Sequence, residues 1–411
     1  MRIKRNIISI CITLVVIAAI VIPVFAQSVT NPNPDGGTIK AQIDKLLADY
    51  QKALDNEISN GETKIANDSL GGTTKLLSGQ SAVKMDALWK DTLNKINQLK
   101  ARPATEREKA VQSIKSLENV SVSYIDQVRS PYDSRIQLER YQTGKYLYTI
   151  DINTNQISEI FLVDDKAFST ASTFSEKQLE GKAREFINKA TSKINLDQLS
   201  LQVSNKEGLV YFFRWEDKSN KLDSGISPFI QVSLSSGGDM VNYINTLFPT
   251  LSAPSTASAN LVSPLTTFNE VYSNGGNYWA GVLGFPVSTQ NNAGFCYIYN
   301  SCSPKSFFYT TVTTGNQTAL GRWSPNPSNA NVVAQAFIPN TNATTQQACY
   351  IEYYNGLSSM SSLCIQQLPL NNAWVYITYQ SLYNIRRIDL GNGNDRSNTA
   401  KIAWDEVWVH N

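Results

Sequence analysis

The sequence predicts a multidomain chain in which N-terminal α-helices and an α+β region precede a C-terminal all-β sandwich. Three observations carry this reading. Apolar residues recur at helical spacing between Ile39 and Leu99, they alternate at period two from Val120 to Val163, and composition changes sharply near residue 250. Of the 67 charged side chains beyond Ala26, 55 precede the Ser/Ala/Pro/Thr/Asn stretch Ser252 to Asn260 and 12 follow it, whereas five of the seven tryptophans follow. A linker at 249–264 between two domains with different surfaces accounts for the shift.

At the N-terminus, Arg2, Lys4 and Arg5 precede an almost wholly apolar run from Ile7 to Phe25, and Val24-Phe25-Ala26 offers small residues to signal peptidase. Residues 1–26 are therefore expected to be a signal peptide cleaved after Ala26. The run is also long enough to span a bilayer, so an uncleaved anchor competes; Pro23 and the Pro/Gly-rich Gln27 to Gly37 favour cleavage. Export is expected either way, with the mature chain free or tethered at its start. Loss of the three basic residues turns a formal charge of +2 into −1, which removes the electrostatic case for nucleic acid or an anionic membrane as partner.

Residues 27–118 read as a linker and helices. Thr38 is placed to cap a helix carrying Ile39, Ile43, Leu46, Leu47, Tyr50 and Leu54, which closes at Gly61. A second carries Met85, Leu88, Trp89, Thr92, Ile96 and Leu99, and a third spans Pro103 to Leu117. Such stripes are packing faces first. Ser81-Ala-Val-Lys84 has the Ser-x-x-Lys spacing of penicillin-interacting enzymes without their companion motifs, so Ser81 reads as a helix cap.

Residues 119–248 form the α+β region, with turns at Gln142-Thr143-Gly144 and Asn153-Thr154-Asn155. Ser175 and Gln178 make a capping box, with Phe174 and Leu179 set for a hydrophobic staple, before a helix whose inner face is Leu179, Ala183, Phe186, Ile187 and Ala190. Strands follow between Leu199 and Phe248, with a turn at Ser236-Gly237-Gly238. Asp151-x-Asn153-x-Asn155 begins like a calcium loop, but Gln156 and Leu162 replace the glycine and glutamate that such a loop needs, which leaves a hairpin turn.

Residues 265–411 read as all-β, with short apolar segments between Asn/Gly/Ser/Pro turns. Asn355-Gly356 is a hairpin turn signal that sets Cys349 opposite Cys364, and Cys296 with Cys302 completes the expected disulfides. Closing the first of these loops stabilises the fold by roughly 3 kcal/mol in the chain-entropy model.

Two resemblances follow from these residues. The capped helix, the strand Leu209 to Trp215 and the hairpin Ile230 to Val241, echoed by Tyr148 to Ile157, resemble a PepSY-type repeat over about residues 130 to 248. That resemblance implies a non-catalytic extracytoplasmic module that holds or restrains a partner, often a peptidase. Gly321-Arg-Trp-Ser-Pro325, Asn342-Ala-Thr344 and the strands from Val332 to Val409 resemble the golvesin and xanthan-lyase C-terminal module, a carbohydrate-binding-type β-sandwich.

No catalytic constellation stands out. The one histidine, His410, is next to last and reads as a residue on a fraying end, and no nucleophile has an imidazole beside it in sequence. A carboxylate-based hydrolase would have to draw on Glu270, Glu352, Asp389, Asp395, Asp405 and Glu406. No cofactor is implied. Asp389, Asn392, Asn394 and Asp395 make an oxygen-rich loop that reads as a calcium site or, more simply, a solvated turn. Trp323 reads as structural.

In the last strand, Val407 and Val409 share a face, and Trp404, Glu406 and Trp408 share the other. If the valines are core, two tryptophans and a glutamate face outward as a glycan platform; the competing reading packs the tryptophans under a loop or against the first domain. These features together point to a secreted binding protein for a glycan or an extracellular partner. The alternative is a PepSY-type modulator of an extracellular peptidase. N-terminal sequencing of the exported protein is expected to start at Gln27; intact Met1 in a membrane fraction would establish the anchor instead.

Overall fold

The computed structural model describes residues 36–67, 73–133, 136–163, 168–169, 171, 174–191, 194–222, 226–247, 269–272, 279–283, 288–291, 306–327, 330–393 and 399–411. The cleavage site after Ala26, the linker 249–264 and the pair Cys296 and Cys302 lie outside the described residues. Among the described residues no helix is long and apolar enough to cross a membrane.

Helices α1 (Gly36–Asn60) and α2 (Gly79–Lys100) pack through Ile39, Ile43 and Ile96 at one end and Tyr50, Leu54, Met85, Trp89 and Leu93 at the other. Helix α1 starts two residues ahead of the expected cap Thr38. A hairpin that the periodicity does not announce, β1 (Thr63–Asn67) and β2 (Thr73–Leu77), joins the two helices. Ser81 is not the cap: Ser78 holds that position, and Ser81 Oγ inside α2 accepts the Glu62 N–H at 2.8 Å. Helix α3 (Ala104–Lys115) starts directly after Pro103, whose fixed φ suits a helix entrance.

Strands β3 (Ser123–Arg129), β4 (Gln137–Gln142), β5 (Tyr146–Asp151) and β6 (Ile157–Leu162) form an antiparallel meander. After α4 (Glu176–Ala190), strands β7 (Ser200–Lys206), β8 (Val210–Glu216), β9 (Phe229–Ser235) and β10 (Met240–Asn245) form a second. The last strands of the two meanders, β6 and β10, pair antiparallel and fuse them into one eight-stranded sheet. Each meander is thus preceded by a helix. Both helices cover one face, where Ala110, Ile114, Leu179, Ala183 and Ile187 pack on Tyr141, Tyr148, Phe213 and Trp215. The Ser175–Gln178 capping box forms as expected. Asp151 Oδ1 accepts the N–H groups of Asn153 and Thr154 at 2.7 and 2.9 Å, closing the anticipated turn.

The remaining strands are β11 (Asn269–Tyr272), β12 (Trp279–Leu283), β13 (Ser288–Asn291), β14 (Ser306–Thr311), β15 (Leu320–Trp323), β16 (Asn331–Ile338), β17 (Ala348–Tyr354), β18 (Ser359–Ile365), β19 (Ala373–Tyr376), β20 (Leu382–Tyr383), β21 (Arg387–Gly391), β22 (Lys401–Trp404) and β23 (Val407–His410). An inner sheet, β11-β23-β16-β19 with β20 beside β16, faces an outer sheet, β12-β15-β21-β17-β18. Ala334, Ala336, Ile377, Val407 and Val409 meet Trp323, Tyr350, Ile388 and Leu390 in the core between them. Strands β17 and β18 form the expected hairpin: Cys349 lies opposite Cys364, the two are disulfide-bonded, and Asn355 and Gly356 supply φ of 53° and 63° at the turn. Such a bond fits an oxidising compartment.

The inner sheet's second face lies on the eight-stranded sheet, so the chain stacks helices, one sheet, and then the sandwich. Apolar contact (Tyr132, Phe229 and Ile244 with Phe337, Trp374 and Trp408) is joined by a buried lysine. Lys206 Nζ, at the end of β7, donates to the carbonyls of Ala343 at 3.1 Å, Gln367 at 3.0 Å and Leu370. Three acceptors match the three donors of an ammonium. Lys206→Met is expected to leave those carbonyls unmet and to lower unfolding stability by about 3 kcal/mol or more, read from urea titration. An unchanged midpoint would show that the lysine does not tie the two bodies together.

Candidate functional site

The proposed glycan platform is not on the surface. Trp404, Glu406 and Trp408 are each 0 to 1% exposed. The expected single strand breaks at Asp405-Glu406 and changes sheets: β22 pairs with β14, and β23 pairs with β11 and β16. The parity that placed both tryptophans on one face therefore does not run through the break. Trp404 enters the sandwich core, its Nε1 donating to the Leu390 carbonyl at 2.7 Å. Gly321 permits this, since a Cβ there would lie 2.5 Å from Trp404 Cδ1 and 2.2 Å from Trp279 Cη2. Trp408 does face away from Val407 and Val409, but the eight-stranded sheet covers it beside Trp374. The competing reading holds for Trp408, which packs against the first domain; Trp404 fills the sandwich core instead. Trp323 is buried against Trp279 and Tyr350, as expected of a structural residue.

The calcium reading fails for the two candidates that are described. Asp389 is held by Arg322 Nε at 2.8 Å and Arg387 Nε at 2.8 Å. Asn392 Oδ1 accepts the N–H groups of Thr318 and Ala319 at 2.9 and 2.7 Å, and its Nδ2 donates to the Thr311 carbonyl at 3.1 Å. Both side chains are committed to the fold; Asn394 and Asp395 lie outside the described residues. His410 is not on a fraying end either. It sits in β23, fully buried, stacked 3.4 Å from the Trp408 ring.

The buried seam between the eight-stranded and inner sheets is where titratable groups gather. One straight row crosses the sheet in register: Asp126, Arg140, Thr149, Glu159, Ile244, Gln231 and Arg214. Arg140 grips Asp126 through two hydrogen bonds of 2.6 and 2.7 Å and lies 4.4 Å from the Tyr376 ring centre. Burial pushes the Glu159 carboxyl up to about 8, against a Thr149 hydroxyl 3.1 Å away and the nearby Arg140. Burial, with Arg140 and Arg129 close by, holds the His410 imidazole well below its usual range. Burial also lowers Arg214 to about 10 and raises Tyr376, to which Glu159 contributes. With every member sealed from solvent, the row acts as a fastening and offers no path for a substrate.

A different set reaches the surface on the outer sheet. Along β17 and β18, buried residues alternate with partly exposed ones, so Cys349, Ile351 and Tyr353, with Met360, Ser362 and Cys364, face away from the core. Cross-strand register places Ile351 beside Asp389 and Tyr353 beside Arg387, and Met360, 52% exposed, lies next to Tyr353. The Arg387 guanidinium sits 4.1 Å from the Tyr353 ring centre. An aromatic ring and an exposed thioether thus share one face, beside an Arg–Asp–Arg group that is itself buried. Sequence reasoning placed the Tyr353–Met360 hairpin but passed over this face, because β21 joins it through a pairing that no local pattern marks.

The sequence matches no family model and no curated protein. Among solved structures, the Bacillus megaterium YpeB C-terminal domain is 11% identical with a TM-score of 0.27, over 55% of this chain and 92% of that domain. A Paenibacillus xanthan lyase is 10% identical with a TM-score of 0.27, over 67% of this chain and 35% of the lyase. An exo-β-1,3-galactanase from Phanerochaete chrysosporium, solved with galactose, is 12% identical with a TM-score of 0.25, over 70% of this chain and 68% of that one. Likeness this low says nothing about the chemistry of this chain.

The seam makes stability depend on pH. The folded chain holds the Glu159 proton more tightly than the unfolded chain, so this contribution is complete below about pH 4.5 and drains away as pH rises towards 8. His410 works in the opposite sense: below about pH 6.5 the unfolded imidazole takes up a proton that the folded one refuses, which favours unfolding. Glu159→Gln is expected to raise Tm at about pH 8 and leave it nearly unchanged at about pH 4. Equal slopes for the two proteins across that range would show that Glu159 does not titrate in the seam.

Proposed function

We propose that this chain is a secreted, non-catalytic binding protein whose C-terminal β-sandwich recognises a glycan or another extracellular partner. The outer sheet's exposed face is its contact surface. One observation carries the reading: with the inner sheet covered on both sides, the outer-sheet face bearing Tyr353, Ile351 and the exposed Met360 is what the sandwich still presents among the described residues, the Arg322–Asp389–Arg387 group on that side being itself buried. A tyrosine ring and a thioether supply apolar area for the C–H face of a sugar, and the Arg387 guanidinium, 4.1 Å from the ring centre, holds the tyrosine in place. The Cys349–Cys364 disulfide ties the hairpin that holds Tyr353 and Met360. Burial of the single histidine supports the non-catalytic half of the proposal.

A glycan array probed with the secreted chain is the direct test. Tyr353→Ala combined with Met360→Ala is expected to weaken the strongest signal about tenfold or more, since each lost contact is worth roughly 1 kcal/mol, while Tm barely moves. Undiminished binding by the folded double variant would remove this face from the proposal; an array with no signal at all would remove the glycan.

A further inference from the structure

The two edges of the eight-stranded sheet are treated differently. At β3 the register with β4 shifts between Tyr124 and Asp126, and α2 lies alongside, with Asn97 Nδ2 donating to the Ile125 carbonyl at 2.8 Å. An irregular, covered strand cannot accept another. At β7 the register with β8 is unbroken from Ser200 to Lys206, and Gln202, Val203, Ser204 and Asn205 are exposed in succession. Val203 is an exposed apolar residue at 39%. From Leu199 to Asn205 there is neither charge nor proline, and Lys206, which could have guarded the edge, points inward to its three carbonyls. Among the described residues no strand pairs with the outer side of β7. Asn371 of the sandwich donates to Ser204 Oγ at 3.1 Å, but no charge, proline or register shift guards the strand edge itself.

We infer that β7 is a dimer strand, through which two copies of this chain pair antiparallel about a twofold axis at Val203. Charge decides the occupant. A strand laid on Leu199 to Asn205 finds no counter-charge there, so it must be uncharged over that span, and β7 meets this requirement itself. With Val203 opposite Val203, Leu201 meets Asn205, Gln202 meets Ser204 and Ser200 meets Lys206. The flanking acids Asp197, in the short helical turn before β7, and Glu207, in the turn after it, lie outside the paired span. No like charges meet, the two valines cover each other, and the unpaired backbone groups of both edges are satisfied. A strand this short buries less than a standard stable interface, so the dimer is of about micromolar strength.

Sedimentation equilibrium of the full secreted chain, from about 1 to 300 μM, reads the association directly. The wild-type chain is expected to dimerise in that range. Val203→Lys and Val203→Glu should each weaken association at least about tenfold, because the new charge meets its own copy at the axis. Each should keep the wild-type Tm, since the side chain is exposed. Mixing the two variants should restore association, because opposite charges then meet. A wild-type chain that stays monomeric, a dimer indifferent to both charges, or a mixture that fails to recover would each overturn the inference.

Discussion

The eight-stranded sheet does not rest on the sandwich through a smooth apolar face. Its contact face carries Asp126, Arg140, Thr149, Glu159, Gln231 and Arg214 in one row, each needing a partner once water is excluded. Some partners lie within the row, such as Asp126 for Arg140 and Gln231 for Arg214 at 3.0 Å. Others lie across it: Arg140 reaches the Thr378 carbonyl at 3.3 Å, and Gln231 reaches the Asn371 carbonyl at 3.4 Å. Sliding one sheet over the other by a residue pair would strand several of these at once. A buried ion pair adds little net stability over well-packed apolar groups, but breaking it is costly, so its weight falls on selecting one arrangement.

Other contacts depend on that arrangement. Ser381, beside the sandwich strand β20, donates to Asp126 at 3.2 Å, and its carbonyl accepts Trp89 Nε1 of α2 at 3.0 Å. Tyr50 of α1 reaches Asn355 at 3.0 Å, and Tyr383 closes the aromatic group with Tyr50 and Trp89. The helical pair therefore straddles the seam, touching the Asn355 hairpin on one body and, through Asn97, the β3 edge of the other. A shift at the polar row would be felt in the helices as well as in the sheets.

Features specified within about twenty residues were legible in the sequence. The Ser175–Gln178 box, the Asp151 turn and the Cys349–Cys364 hairpin each follow from a local pattern and stand where that pattern puts them, and the helices form as well, with α1 and α2 beginning ahead of the expected caps Thr38 and Ser81. The β1–β2 hairpin was missed because its short strands carry no clean alternation between two strongly periodic helices. The site residues failed for another reason. Parity along Trp404 to Trp408 was sound for Val407, Trp408 and Val409, but it assumed one continuous strand and a solvated opposite face. The break at Asp405-Glu406 and the covering sheet are both non-local.

A trace of the covering was nevertheless present in the sequence. A strand with one solvated face alternates, whereas one buried on both faces reads as an almost unbroken apolar run. Val332 to Ile338, Ala373 to Tyr376 and Val407 to Val409 are runs of the second kind, and their strands are buried nearly throughout. Ala348 to Tyr354 and Ser359 to Ile365 alternate, and those strands line the face left to solvent. Tryptophan content alone suggests a ligand platform. In a chain stacked this deeply, aromatic rings are first needed to fill two interfaces, and alternation, more than ring count, marks where a ligand can reach.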